Sequence, residues 1–128
     1  MTPRLQAFLV ADAVYQDRET GKHVIAGTFA RLVVQSVPGE LGRAIATYCA
    51  LIGVSGSVQV SMQFEAAGGD VLLRSSALTL TCTNPDLLVE FAIPVPALPL
   101  PRAGAFQFVV LLDGRSFATH AIEVAIAG

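Results

Sequence analysis

Four kinds of side chain in this sequence could do chemistry: two histidines, two cysteines, a scatter of carboxylates and one serine set among glycines. His23 or His120 beside a carboxylate such as Asp12 or Glu123 would make a general base, because the carboxylate orients the ring and stabilises its protonated form. No spacing in the chain brings such a pair within hydrogen-bond reach. Both histidines fall inside strand-like stretches and read as solvent-facing strand residues. Gly53-Val54-Ser55-Gly56 invites comparison with a nucleophile elbow, which needs Gly-x-Ser-x-Gly between a strand and a helix. A strand follows here, so the segment reads as a glycine-serine turn. Asp12, Asp17, Glu19 and Asp70 are conceivable calcium ligands, but a calcium loop places oxygens at alternating positions around a guiding glycine. Asp17-Arg18-Glu19 lacks that spacing and reads as a solvated loop tip.

Cys49 and Cys82 have no second cysteine or histidine at a zinc-like spacing. An inter-strand disulfide is one use for them; two small apolar thiols is the use the rest of the sequence favours. Pro96 and Pro99 satisfy P-x-x-P, which can dock as a polyproline helix, although a rigid inter-strand connection explains them as well. No residue is therefore assigned a catalytic, cofactor-binding or metal-ligating role, and no cofactor is implied.

Composition narrows the class further. A chain of 128 residues is expected to fold as a single domain spanning 1–128, burying about two-thirds of its unfolded surface without a metal or disulfide staple. Hydrophobic residues make up 53% and charged residues 14%, against about 25% charged in ordinary soluble domains, so much of the surface must be neutral or apolar. Eight Lys and Arg against ten Asp and Glu give a net charge of -2. The cations are scattered, which argues against a nucleic-acid partner. The apolar stretch from Ala7 to Tyr15 is broken by Asp12 and lacks a basic start, so it reads as a first strand, not a leader. No window reaches the ~18 apolar residues of a membrane helix. A cytoplasmic protein is expected.

The elements that would position these residues are short strands cut by turns. Residues 5 to 14 form the first, and a polar tip from Gln16 to Lys22 follows. The chain is β-like again from His23 to Val34, with Gly27 as a bulge or close-packing point. Pro38-Gly39 marks a turn, and a third strand covers 44 to 52. Val58, Val60, Met62 and Phe64 then alternate strictly with Gln59, Ser61, Gln63 and Glu65, which sends the first set to the core and the second outward. Ala67-Gly68-Gly69-Asp70 turns the chain into Val71–Arg74, and Leu78, Leu80 and Cys82 alternate in the next strand. After the turn at Thr83-Asn84-Pro85-Asp86, residues 87 to 95 are strand-like. Pro94, Pro96, Pro99 and Pro101 cannot donate ladder hydrogen bonds and belong at an edge or in a connection. Asp113-Gly114 between two apolar runs predicts a two-residue hairpin turn with Gly114 at positive φ. No segment carries a helical stripe. The pattern is that of an all-β, antiparallel two-sheet sandwich of seven to nine strands.

Both ends of the chain also resemble a known family. Phe8-Leu9-Val10-Ala11-Asp12-Ala13, a polar tip ending Gly21-Lys22, and Val24-Ile25-Ala26-Gly27-Thr28-Phe29 resemble the opening hairpin of DUF6941, a small bacterial family of unknown function. Leu98-Pro99-Leu100-Pro101-Arg102-Ala103-Gly104-Ala105-Phe106, running into Leu112-Asp113-Gly114, resembles its closing segment. The resemblance implies an immunoglobulin-like sandwich and supplies no catalytic residues.

The function these readings favour is a non-enzymatic protein-binding or self-assembly module. A small-ligand or carbohydrate-binding module is the alternative, weakened by the absence of Trp and by only two Tyr, since such sites use amphipathic aromatics. An enzyme with a site assembled from distant residues stands third. A homodimer is expected, because Leu5–Val10, Leu32–Val34, Val71–Leu73 and Val109–Leu112 are apolar on consecutive positions and hence on both strand faces. The rival explanation is that the chain covers these faces itself, with the connection from Pro94 to Pro101 as the cover.

Overall fold

A computed structural model describes residues 3–128 of the chain. The alternating and turn-bounded segments form twelve strands: β1 (Arg4–Gln16), β2 (His23–Thr28), β3 (Arg31–Val34), β4 (Gly39–Glu40), β5 (Ile45–Ile52), β6 (Gly56–Ala66), β7 (Val71–Arg74), β8 (Leu78–Cys82), β9 (Val89–Val95), β10 (Pro99–Leu100), β11 (Gly104–Leu112) and β12 (Arg115–Ile126). No helix occurs among the described residues. Four strands pair in the order β2-β1-β5-β9; six belong to a second sheet ordered β3-β12-β11-β6-β7, with β8 also on β6; β4 and β10 make a two-stranded ribbon. Every pairing is antiparallel except β12 with β3, which is parallel.

The strand count exceeds the expected seven to nine for two reasons. The stretch from His23 to Val34 is two strands, because the chain changes sheets at Phe29-Ala30. The Phe29 N–H still donates to the Val10 carbonyl at 3.2 Å, whereas the Ala30 carbonyl already accepts from the Glu123 N–H at 2.9 Å. The Pro38-Gly39 segment, expected as a turn, also enters a ladder, with Gly39 opposite Leu100 and Glu40 opposite Pro99.

The hairpin signals hold. Leu112 pairs with Arg115, and Asp113 and Gly114 between them have φ of 50° and 80°, as a turn matching the right-handed strand twist requires. Asp113 is further tied to β6: its Oδ1 accepts from the Gln59 N–H at 2.9 Å. At the other β6 turn Gly69 has φ of 95°, and the Ala66 N–H donates to the Asp70 carbonyl at 2.9 Å.

One apolar core receives side chains from both main sheets. Phe8, Val10, Cys49, Leu51, Phe91 and Ile93 come from the four-stranded sheet, and Val60, Met62, Phe64, Phe108, Val110 and Ile122 from the other. Phe64 lies at its centre, stacked on Phe106 at 5.3 Å and tilted against Phe108 at 4.9 Å between ring centroids. Val58, Val60, Met62 and Phe64 are all buried, as the alternation requires. Gln63 departs from it. Though on the outward face it is only 9% exposed, because Val109 and Arg74 flank it from the neighbouring strands. Its amide donates to Glu65 Oε2 at 2.8 Å, and Gln107 donates to Glu65 Oε1 at 2.5 Å.

The proline-rich connection does not cover an outer sheet face. It inserts Leu98 and Leu100 into the core, and Leu98 accepts a hydrogen bond from the Leu41 N–H at 2.9 Å. Pro94 lies on β9, the end strand of its sheet, where a missing N–H costs no ladder bond. Both cysteines are free, Cys49 buried on β5 and Cys82 half-buried on β8.

Truncating Phe64 removes a ring with two aromatic partners at the centre of the core. Phe64→Ala is expected to lower unfolding stability by about 3–5 kcal/mol, measured by urea denaturation.

Candidate functional site

The site begins with a strand that is apolar on both sides. Ile45, Cys49 and Leu51 of β5 belong to the core, but Ala46, Tyr48 and Ala50 on the opposite face are buried as well. The cover is the far half of the β1–β2 hairpin. Tyr48 pairs across the ladder with Leu9 and His23 pairs with Gln16. Seven residues of straight strand from Leu9 to Gln16 would span ~23 Å, yet the His23 and Tyr48 rings lie 5.5 Å apart. The hairpin therefore folds back over β5 and β9.

Gly27 permits the fold-back. Its φ is 73°, and the Asp12 side chain packs directly against it, where a Cβ would collide with the carboxyl group. The register on either side is unshifted, with Ala11 opposite Thr28 and Ala13 opposite Ala26, so Gly27 is a close-packing point and not a bulge. Asp12 is fixed in turn by Arg43, whose Nη1 donates to Oδ1 at 2.7 Å. The same guanidinium sits 5.8 Å from the centre of the Phe29 ring.

At the end of the folded hairpin, His23, Tyr48 and Glu90 meet. The Tyr48 hydroxyl donates a short hydrogen bond to Glu90 Oε2. His23 Nδ1 lies 3.3 Å from the same oxygen but is not aligned for a hydrogen bond, and it is buried with no other partner. Burial pushes the Tyr48 phenol up to about 12, helped by its bond to the Glu90 carboxylate and by that charge. Burial alone pushes the adjacent Cys49 thiol up to about 12. A cleft of about 370 Å³ opens beside the cluster, lined by Val14, Tyr15, Gln16 and His23 of the hairpin and by Glu90 on β9. The arrangement can hold a small polar molecule against one carboxylate.

The other chemistry-bearing residues are dispersed. Asp12 and Glu123, considered as histidine partners, bind arginines instead: Asp12 holds Arg43, and Glu123 lies 3.4 Å from Arg31. His120 Nδ1 contacts its neighbour's carbonyl, that of Ala121, at 3.0 Å, and the ring meets Phe8 edge-on at 5.9 Å. His23 is not solvent-facing, since its side chain is only 14% exposed. Ser55 lies exposed in the link from β5 to β6, where a strand follows. Asp17 shapes the hairpin tip: its carboxylate accepts from the Thr20 hydroxyl at 2.8 Å and the Glu19 N–H at 3.1 Å. Those bonds hold its carboxyl below the usual range. Asp70 turns the chain in the other sheet, and among the described residues no three His, Cys, Asp or Glu side chains gather as a metal-holding group. Pro99 is engaged in the β4–β10 ribbon, so the P-x-x-P segment is not a free polyproline ligand.

Glu90 and Tyr48 were the residues that pattern reading passed over. A signal existed: Glu90 is the only charged residue between Leu87 and Val95, and a lone carboxylate in an apolar strand needs a donor.

The fold and the cleft define an all-β protein of antiparallel-rich sheets with one half-buried carboxylate-tyrosine-histidine cluster. The sequence pattern of the family of unknown function DUF6941 matches residues 6–125, and the chain belongs to that family. No curated protein matches it. Among solved structures it is similar in fold to the Pseudomonas fluorescens alkylpurine DNA glycosylase AlkC bound to DNA containing an abasic site analog. The TM-score is 0.57 at 10% identity, over 96% of this chain and 30% of that one. This chain thus spans less than a third of the glycosylase it resembles.

The shifted phenol and thiol on β5 make stability depend on pH. In the unfolded chain they release protons near 10.0 and 9.0, but in the fold only near 12. The unfolded state then binds fewer protons over that window, so stability falls as pH rises from about 9 toward 12. Urea denaturation at pH 8, 10 and 11 is expected to show the decline, and Tyr48→Phe to reduce its slope above pH 10.

Proposed function

We propose that this chain is a non-enzymatic protein-binding module, an immunoglobulin-like two-sheet sandwich in the cytoplasm, which self-associates as a homodimer through the free edge of β3. The observation that carries the reading is the state of that edge. Ala30 and Val34 turn their carbonyls toward β12, accepting from Glu123 at 2.9 Å and Ala127 at 2.8 Å. Backbone groups alternate sides along a strand, so the N–H and C=O of Arg31 and Val33 point away from the sheet. Among the described residues no strand pairs with them. Val33 is 59% exposed and Ile126, at the end of the neighbouring strand, 49%.

A second copy of the chain suits this edge. Two β3 strands meeting antiparallel about Leu32 pair Arg31 of each with Val33 of the other. The arginines are then staggered, and the four outward residues exchange ladder hydrogen bonds. Val33, exposed beside the join, would add apolar contact there. A nucleic-acid partner is not proposed: the DNA belongs to the glycosylase structure, and this chain offers scattered cations and a net charge of -2.

Light scattering after size exclusion at micromolar concentration is expected to give twice the 13.4 kDa chain mass. Val33→Pro removes an outward-facing N–H and none of the bonds to β12, so it should return the mass to 13.4 kDa while the chain stays folded by circular dichroism. A wild-type mass of 13.4 kDa with no concentration dependence rejects the dimer.

A further inference from the structure

We infer that the cleft between the folded-back hairpin and β9 is a binding site for a small primary ammonium compound, with the Glu90 carboxylate as its counter-ion. Glu90 is the only carboxylate lining the cleft. Its Oε2 is occupied by the Tyr48 hydroxyl and faces His23, while no hydrogen bond within the described residues is made to its Oε1. Gln16, on the opposite wall, has one of its two amide N–H groups committed, because its Nε2 donates to the Gly21 carbonyl at 2.9 Å. Its Oε1 remains as an acceptor. The one carboxylate on the walls thus keeps an oxygen free, with a second acceptor in Gln16 Oε1 across from it, which suits a ligand rich in donors and positively charged.

Shape narrows the class. A guanidinium prefers both oxygens of a carboxylate in its planar fork, and here one oxygen is already taken. An ammonium group needs only single acceptors, and its three donors match Glu90 Oε1 and Gln16 Oε1 with one to spare. The Tyr15 ring, 55% exposed and lining the same cleft, offers a π face for the cation or its alkyl stem. A volume of about 370 Å³ sits at the lower end of small-molecule sites. This site lies on the four-stranded sheet and the β3 edge on the six-stranded one, so either proposal can fail without the other.

The chain carries its own reporter. It has no Trp and two Tyr, and both tyrosines belong to this region, Tyr15 on the wall and Tyr48 on the Glu90 carboxylate. Titration of the protein with n-butylammonium, followed by tyrosine fluorescence at fixed ionic strength, is expected to saturate in the millimolar range. Butan-1-ol and butyrate should produce no saturable change. Glu90→Gln keeps an acceptor for Tyr48 but removes the charge, and should weaken binding at least tenfold; Gln16→Leu should weaken it several-fold and keeps the test open if the first variant fails to fold. A linear wild-type response, an equal response to butan-1-ol, or unaltered affinity in a folded variant overturns the proposal.

Discussion

The constraint on which the rest of the structure depends is that β5 is buried on both faces. A strand with Cys49 and Leu51 on one side and Ala46, Tyr48 and Ala50 on the other cannot lie on the surface of a single layer. Something must cover the second face, and the chain uses its own first hairpin. The cover dictates a glycine where Asp12 presses on the backbone, an Arg43 to hold that aspartate, and small residues such as Ala46 and Ala50 beneath the folded strands. It also buries a tyrosine hydroxyl, which would cost roughly 1–3 kcal/mol without a partner. Glu90 on the adjacent strand supplies that partner. The polar cluster is thus a consequence of the packing problem, and the cleft beside it is the space that the hairpin and β9 leave unfilled.

Much of this architecture was legible in the sequence, and the legible parts share a property: they are decided locally. Asp113-Gly114 adopts its turn because two residues at positive φ suffice to reverse the chain. The inward set of β6 follows because strand period is two. What escaped reading depends on distant partners. His23 to Val34 has the texture of one strand, and only the parallel berth beside β12 divides it into β2 and β3. Glu40 and Pro99 look like loop residues until they meet. The histidine was noticed but matched with Asp12, which is eleven positions away in sequence and committed to Arg43; Glu90 is sixty-seven positions away and reaches His23 only because the hairpin doubles back. Pro94 lies on an edge strand and Pro99 in the β4–β10 ribbon, while the cover over β5 is the first hairpin.

The sparse charge follows the same logic. Of the cations, Arg43 and Arg31 pair with carboxylates, and Arg102 lies 5.1 Å over the Phe106 ring. Exposed pairs of this kind contribute at most about 1 kcal/mol. Their value is positional, since they fix the strand crossing and the edge beside it. The edges are protected unequally. β9 carries Pro94, whereas β3 has only its four-residue length and Arg31. Proteins usually blunt an open edge with several such devices, and a strand blunted this lightly is available for pairing.

The two surfaces proposed for binding diverge from one short piece of chain. β2 walls the cleft and β3 offers the edge, and only Phe29 and Ala30 separate them. That crossover is held from both sides: Phe29 bonds back to Val10 of the first sheet, Ala30 to Glu123 of the second, and the Arg43 guanidinium lies over the Phe29 ring. A loose crossover would let the hairpin slide, uncovering Tyr48 and emptying the space beside Glu90, and would leave β3 free to detach from β12. Anchoring a two-residue link at both ends fixes the cleft and the edge in one step, and this is why the aromatic ring, the arginine and the aspartate against Gly27 occur together at the point where the chain passes between sheets.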